Sequence, residues 1–273
     1  MGFELEFWGV RGSIACPSSE YVKFGGNTSC VEVRAGDARI ILDAGTGLRV
    51  LGNAFLEQDV REAWLLLTHT HWDHINGFPF FKPAYAKGRH FRIMAGHLQQ
   101  GGVREVLAGQ MTGPTFPVPL ETMRAELAFD DFEAGDSFLL GAGVKVTTAA
   151  LNHPNGATGY RIEHAGKALC YVTDTEHVVG QPDQNVLGLI EGADVVVYDS
   201  TYTDEEFANH VGWGHSTWQE AIRLGKQASV KRLAIFHHDP EHDDAFMEQV
   251  EKEARDTWAA ALVARERVVV KLA

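Results

Sequence analysis

Apolar residues in this chain fall into short runs, not long ones. Such runs occur at residues 5–8, 31–34, 39–42, 64–67, 91–94, 137–140, 144–148, 159–163, 168–172, 195–198, 233–236 and 268–271. Most are β-branched or aromatic and end at Gly, Asp or Asn, which is the pattern of β-strands. A different spacing appears near the C-terminus. Met247, Val250, Ala254, Trp258 and Ala261 recur every three or four positions, with Glu248, Glu251, Lys252 and Arg255 between them. That spacing predicts a helix with one apolar face. Ser216-Thr217-Trp218-Gln219 has the S-x-x-Q form of a capping box and predicts a helix start. Strands dominate the first two-thirds, and strands alternate with helices afterwards. This order predicts one mixed α/β domain over residues 1–273, with packed sheets and outer helices. The Gly- and Pro-rich stretch 99–120 predicts a long functional loop.

Composition narrows the classes of function. The chain has 273 residues, 45% hydrophobic and 22% charged, as expected of a folded globular protein. No apolar run reaches the ~18 residues of a membrane span. The N-terminus carries Glu4 and Glu6 where a secretion signal would be basic and then apolar, so a cytoplasmic location is expected. The net charge of −13 is a poor match for a nucleic-acid backbone or an anionic membrane. Cys16, Cys30 and Cys170 are far apart and odd in number, which argues against a disulfide framework or a thiolate metal site. Histidine, by contrast, is abundant at 13 residues.

Four potential metal ligands, three histidines and one aspartate, lie together in Thr68-His69-Thr70-His71-Trp72-Asp73-His74, directly after the apolar run 64–67. A buried strand that delivers ligands at its end fixes their positions. His69 and His71 point the same way in an extended segment, whereas the neighbours Asp73 and His74 must diverge. One ion is therefore a poor fit for all four, and the spacing points to two adjacent ions. More ligands should come from other strand ends. His153, Asp174 and His237 each follow a predicted strand. Imidazole and carboxylate without thiolate suit Zn²⁺, with Mn²⁺ or Fe²⁺ as alternatives.

With these residues the chain resembles the metallo-β-lactamase fold superfamily, whose signature is H-x-H-x-D-H. Gly25-Gly26-Asn27-Thr28 and Leu42-Asp43-Ala44-Gly45-Thr46-Gly47 extend the likeness. The resemblance implies an α/β fold, a four-layer αββα sandwich with metals at one edge of the sheets. It also implies a ligand assignment. His69, His71 and His153 would hold one ion, Asp73, His74 and His237 the other, and Asp174 would bridge them. His153-Pro154-Asn155-Gly156-Ala157-Thr158-Gly159, then Tyr198-Asp199-Ser200-Thr201 and Gly214-His215-Ser216-Thr217, look like the phosphodiesterase branch. That branch includes tRNase Z and the cyclic phosphodiesterases of phosphonate breakdown, and it often has Glu where Asp199 stands.

His215 can also be read from its position. It precedes the predicted cap, near a positive helix end that favours a phosphate oxygen. Asp199 ends a predicted strand and could orient the imidazole. Together these features imply a hydrolase that attacks a phosphodiester with a metal-activated hydroxide, with Asp73 as the residue that takes its proton and His215, held by Asp199, as a proton or hydrogen-bond donor. The step from His153 to Asp174 spans 21 residues, room for one hairpin and not for a long RNA-binding arm. A small substrate is therefore expected, such as a cyclic nucleotide or cyclic ribose phosphate, with no large nucleic acid and no membrane as partner. The 113–117 segment is a candidate wall for its pocket. Homodimers are common among the relatives. The alternatives are a thioester or lactone hydrolase of the same fold, a tRNA 3′-processing nuclease and a non-catalytic metal-binding signalling module.

Overall fold

The runs of alternating residues build two seven-stranded sheets in a computed structural model that describes residues 2–272. The first sheet contains β1 (Phe3–Gly9), β2 (Cys30–Ala35), β3 (Ala38–Leu42), β4 (Glu62–Leu67), β5 (His90–Ala95) and β6 (Glu126–Asp131). The second contains β7 (Ser137–Leu140), β8 (Val144–Leu151), β9 (Ala157–His164), β10 (Lys167–Val172), β11 (Val195–Asp199), β12 (Leu233–Phe236) and β13 (Ala261–Val263). The last strand, β14 (Val269–Lys271), returns to the first sheet beside β1, giving the order β14-β1-β2-β3-β4-β5-β6. The second sheet runs in the order β13-β12-β11-β10-β9-β8-β7.

Each strand's two faces have different neighbours. Phe3, Leu5 and Phe7 of β1 point between the sheets and meet Tyr160, Tyr171 and Phe236 in one core. On the opposite face Glu4 and Glu6 form ion pairs with Arg34. The central parallel strands β3, β4, β11 and β12 are largely apolar on both faces, as strands covered on both sides must be. Ile40 and Leu66 face the other sheet, whereas Ile41, Leu65 and Ile93 face outward. The outward set shares one cluster with Leu48, Leu51 and Phe55 of α1 (Gly47–Glu57), and α3 (Val103–Gln110) covers β5 and β6. Between them in the chain lies a single turn, α2 (Trp72–Ile75). The second sheet is covered by α4 (Gln184–Ile190), α6 (Trp218–Gln227) and α7 (Asp244–Thr257), with the short α5 (Asp204–Phe207) before α6. The result is the expected αββα sandwich. Among the described residues no helix is long and apolar enough to cross a membrane.

Three local expectations need correction, and one strand was not anticipated. The α7 helix stops at Thr257, where Trp258 becomes extended at φ −155°, and Ala261 begins β13. The start of α6 is capped one residue later than the S-x-x-Q pattern suggests. Thr217 accepts from the Glu220 amide, while Ser216 instead bonds His177. Residues 99–120 are not a free loop, since they contain α3, and its Val103 and Leu107 are buried. Finally, β6 gave no apolar run. Its residues are half-buried or exposed and include Glu126, Asp130 and Asp131.

Topology places the site. β3, β4 and β5 run parallel, as do β10, β11, β12 and β13. The C-terminal ends of each set therefore open on one edge, which is where α/β sheets collect ligands. Phe7, fully buried, stacks on Phe236 with ring centroids 6.0 Å apart. It thus holds the first sheet against the strand that precedes His237. Phe7→Ala should destabilise the fold by about 3–5 kcal/mol, measured as a lower urea midpoint at unchanged slope. A loss under about 1 kcal/mol would mean that the inter-sheet core does not carry this contact.

Candidate metal centre

Asp43, Asp174 and His237 follow β3, β10 and β12 and share an unusual backbone. Their φ values are 61°, 61° and 64°, in the left-handed region. Non-glycine residues seldom adopt it, at a cost of roughly 1–3 kcal/mol each. The sharp turn at each strand end directs these side chains into the sandwich edge. His69 and His71 follow β4, and α2 carries Asp73 and His74. His153 sits in the turn between β8 and β9.

These residues converge. The donor atoms of His69, His71 and His153 lie within 4.8 Å of one another, as do those of Asp73, His74 and His237, and those of His69, His74 and Asp174. His153 Nε2 is 3.1 Å from His71 Nδ1, and His74 Nε2 is 3.3 Å from His237 Nε2. Asp73 Oδ2 approaches His74 and His237 at 3.2 and 3.4 Å. Asp174 reaches both groups. Its Oδ1 is 3.2 Å from His74 Nε2 and 3.3 Å from His237 Nε2. Its Oδ2 is 3.7 Å from both His69 Nε2 and His153 Nε2. The backbone comes close as well. The Ser13 amide donates to Asp73 Oδ2 at 2.8 Å, and a Cβ at Gly12 would fall 2.3 Å from the His237 ring.

The outward nitrogens explain why the inward ones face each other. His153 Nδ1 lies 2.7 Å from the Gly214 carbonyl, which can only accept. His74 Nδ1 meets the Asp43 carboxylate at 2.9 Å. Thr68 Oγ1 gives its proton to Asp43, so it can accept from His69 Nδ1 at 3.1 Å. Thr201 Oγ1 donates to Asp199 and can accept from His237 Nδ1 at 3.0 Å. In the neutral rings, four Nε2 lone pairs therefore point inward. Such outer partners orient metal-binding imidazoles. Among the described residues, buried His69 Nε2 has no hydrogen-bond partner. An orphaned lone pair beside other inward nitrogens fits a divalent cation. Imidazole and carboxylate without thiolate suit Zn²⁺, Mn²⁺ or Fe²⁺, and the three free cysteines lie outside the cluster.

Charge in the ion-free chain follows from this crowding. Burial holds the His69 ring well below its usual pKa, and the neighbouring His74 adds to the effect. Burial alone would lower His74 too, but Asp174, Asp73 and Asp43 outweigh it and push that ring well above the ordinary range. Burial opposes ionisation of Asp174, yet His237, His74 and His69 hold it well below the usual carboxylate range. Asp73 is lowered in the same way, chiefly by His74 against burial.

Asp199 and His215 form a pair beside these donors, with Nδ1 2.9 Å from Oδ2. Burial would lower His215, but Asp199 and then Asp174 overcome it and raise the ring to about 9. His215 stacks on His237 at 4.9 Å, so it belongs to the same centre. It stands two residues before the observed cap Thr217, so the carboxylate holds it in place and the helix end is not its immediate neighbour. A cleft of about 410 Å³ opens at His69 and His71, lined further by His97, Gln99, Gln100 and Asn155. The 113–117 segment does not line it. Phe116 packs on Phe80 instead. No local pattern marks the role of Asp43, Thr201 or Gly214, each of which holds a donor from elsewhere in the chain, or of Thr68, which holds its neighbour His69. Asp43 lies in a motif that marks the family but gave no hint of its partner.

Residues 38–238 match the family described as the beta-lactamase superfamily domain. Ribonuclease Z of Bradyrhizobium sp. (strain ORS 278) is 27% identical over 97% of this chain and 98% of its own length. Among solved structures, the metallo-beta-lactamase fold protein YhfI from Bacillus subtilis superposes with a TM-score of 0.75 at 16% identity, covering 98% of both chains. Zn²⁺-bound PqqB from Methylobacterium extorquens gives 0.72 at 16% identity, covering 98% of this chain and 99% of its own. At these identities the structural likeness shows the fold.

The outer contacts generate a test. Asp43→Asn keeps the shape but offers His74 an amide in place of a carboxylate. Zn²⁺ affinity, measured by competition with a chromogenic chelator, should fall by ~10- to 100-fold. Unchanged affinity would remove Asp43 from the support of His74.

Proposed function

Since the chain belongs to the β-lactamase superfamily, we propose that it is a dinuclear-metal phosphodiesterase acting on a small phosphodiester. The observation that carries this reading is Asp174, whose two oxygens face separate sets of imidazoles. His69, His71 and His153 would hold one ion, Asp73, His74 and His237 the second, and Asp174 both. Ions held there would supply Lewis acidity, neutralising phosphate charge and making hydroxide available near neutral pH. The protein's own groups do the rest. Asp73, fixed by the Ser13 amide, is placed to accept a proton. His215 has Nδ1 committed to Asp199, which leaves Nε2 to donate to a phosphoryl or leaving-group oxygen. Both sheets supply donors to one centre, so residues 1–273 act as one hydrolase domain in this reading.

Phosphodiester chemistry is supported by the relative named Ribonuclease Z, which aligns over 97% of this chain. A small substrate is supported by the cleft, whose lining includes no Lys or Arg among the described residues. The net charge of −13 and the tight β9–β10 hairpin favour it too. The same relative's name favours a second reading, a nuclease acting on RNA. Turnover of 2′,3′- and 3′,5′-cyclic nucleotides and cyclic ribose phosphates, set against cleavage of precursor tRNA at ~150 mM salt, decides between them. Specific tRNA cleavage at a comparable rate would overturn the small-substrate reading. Faster hydrolysis of an aryl ester than of an aryl phosphodiester would indicate a thioester or lactone hydrolase instead.

Two ions per chain are expected by elemental analysis after loading with Zn²⁺ or Mn²⁺. His69→Ala or Asp174→Ala should lower that count and abolish hydrolysis. One ion or none in the parent protein would refute the dinuclear assignment.

His215→Ala should keep both ions. It should lose roughly 10²- to 10⁴-fold in turnover of a substrate with an alkoxide leaving group. With a nitrophenolate leaving group, which needs little protonation, the loss should be much smaller. An equal loss on both would assign His215 to binding the phosphate, because that contact is blind to the leaving group. Full activity on both would remove His215 from the mechanism.

A further inference from the structure

Between His153 and His215 runs a backbone contact that ends on a carboxylate outside the donor set. Glu176 Oε2 accepts from the Gly212 amide at 2.7 Å and from the Gly214 amide at 2.8 Å. The two amides converge because both glycines are left-handed, with φ of 90° and 86°. The amide between them, of Trp213, is turned to the His210 carbonyl, so one carboxylate oxygen meets the two flanking amides. Gly214 admits no side chain, since a Cβ there would lie 2.3 Å from His153 Nδ1.

We propose that Glu176 is a positioning residue that fixes His153 and His215 relative to each other through the Gly212–Gly214 backbone. The Gly214 residue is held from both ends. Its amide goes to Glu176, and its carbonyl accepts from His153 Nδ1 at 2.7 Å. The next residue is His215, held by Asp199 at 2.9 Å. Glu176 is itself anchored beside His153. Its amide donates to the Asn152 carbonyl, and the Asn152 side chain donates back to the Glu176 carbonyl, both at 2.8 Å. It also stands two residues beyond Asp174. One side chain thus joins three segments that carry Asp174, His153 and His215. Gly212 is exposed, so water can replace part of the lost bonding, and loss of the carboxylate loosens the loop without unfolding the core.

The consequence for metal binding rests on the reading of His153 as a ligand, but the positioning itself does not. The first measurement therefore uses ion-free protein. With ¹⁵N-labelled histidine, His153 should give a long-lived Nδ1–H signal characteristic of one tautomer. Glu176→Ala should broaden or shift it. Glu176→Gln should retain it, because one amide oxygen can accept from both glycines. Glu176→Asp, drawn back by one methylene, should behave like Ala and serves if the Ala variant fails to fold. The second measurement is Zn²⁺ affinity by chelator competition, expected to weaken ~10- to 100-fold in the Ala and Asp variants and to stay near the parent value in Gln. A parent-like His153 signal in a folded Ala or Asp variant overturns the proposal. If the parent binds no Zn²⁺ while the signal still responds to Glu176, the positioning role stands and the metal reading fails.

Discussion

The Asp174 carboxylate, only 2% exposed, is surrounded by imidazoles from His74, His237, His69, His153 and His215 at 3.2 to 3.8 Å. A buried carboxylate without compensation costs several kcal/mol. The compensation comes from β4 and α2 of one sheet's edge and from the ends of β8, β12 and the segment before α6 on the other. The charge balance of Asp174 therefore requires the two sheets to be in register. Packing through Phe7 and Phe236 serves that register from below. The left-handed backbones of Asp43, Asp174 and His237 fit the same logic, since strain of this size persists only where surrounding contacts over-determine it.

A proton and a cation compete for the same lone pairs here. In the ion-free chain Asp174, Asp73 and Asp43 favour a charged His74. A cation can use Nε2 only when that nitrogen is bare, so metal affinity and protonation are linked in opposite directions. The outer contacts bias the outcome. Asp43, Thr68, Thr201 and the Gly214 carbonyl each engage an Nδ1, which reserves Nε2 for the interior. Their arrangement decides what the inner ring can bind as much as the inner residues do.

The inner ring was legible in the sequence because one strand end carries four of its members within six positions, from His69 to His74. Strands with inward β-branched or aromatic residues were legible for a related reason, since burial on a period of two leaves a mark on composition. Elements without that mark were missed. β6 lies at the sheet edge with acids on its exposed positions, and β13 is three residues long and directly follows a helix. The helical spacing continued past Thr257 into Ala261 because a buried strand residue is also apolar, so spacing alone cannot separate the two. Asp43, Gly214 and Glu176 were beyond reach for another reason. Their partners lie 31, 61 and 36 to 38 positions away in the chain. No local pattern records which strand ends the fold brings together.

The charge distribution constrains the order in which the site can work. Asp73, Asp174 and Asp199 crowd one edge of a protein whose net charge is −13. The cleft beside them offers amides and imidazoles, with no Lys or Arg among its described lining residues. A phosphodiester approaching the ion-free edge would meet carboxylates at close range, where repulsion is largest. Enzymes that meet phosphate with arginine carry their positive charge permanently. On the proposed reading this chain would instead acquire it from cations, beyond what His74 and His215 carry while neighbouring carboxylates keep them charged. If the chain is the proposed phosphodiesterase, affinity for its anionic substrate would therefore be conditional on cation occupancy, and the substrate should bind after the cations, not before them.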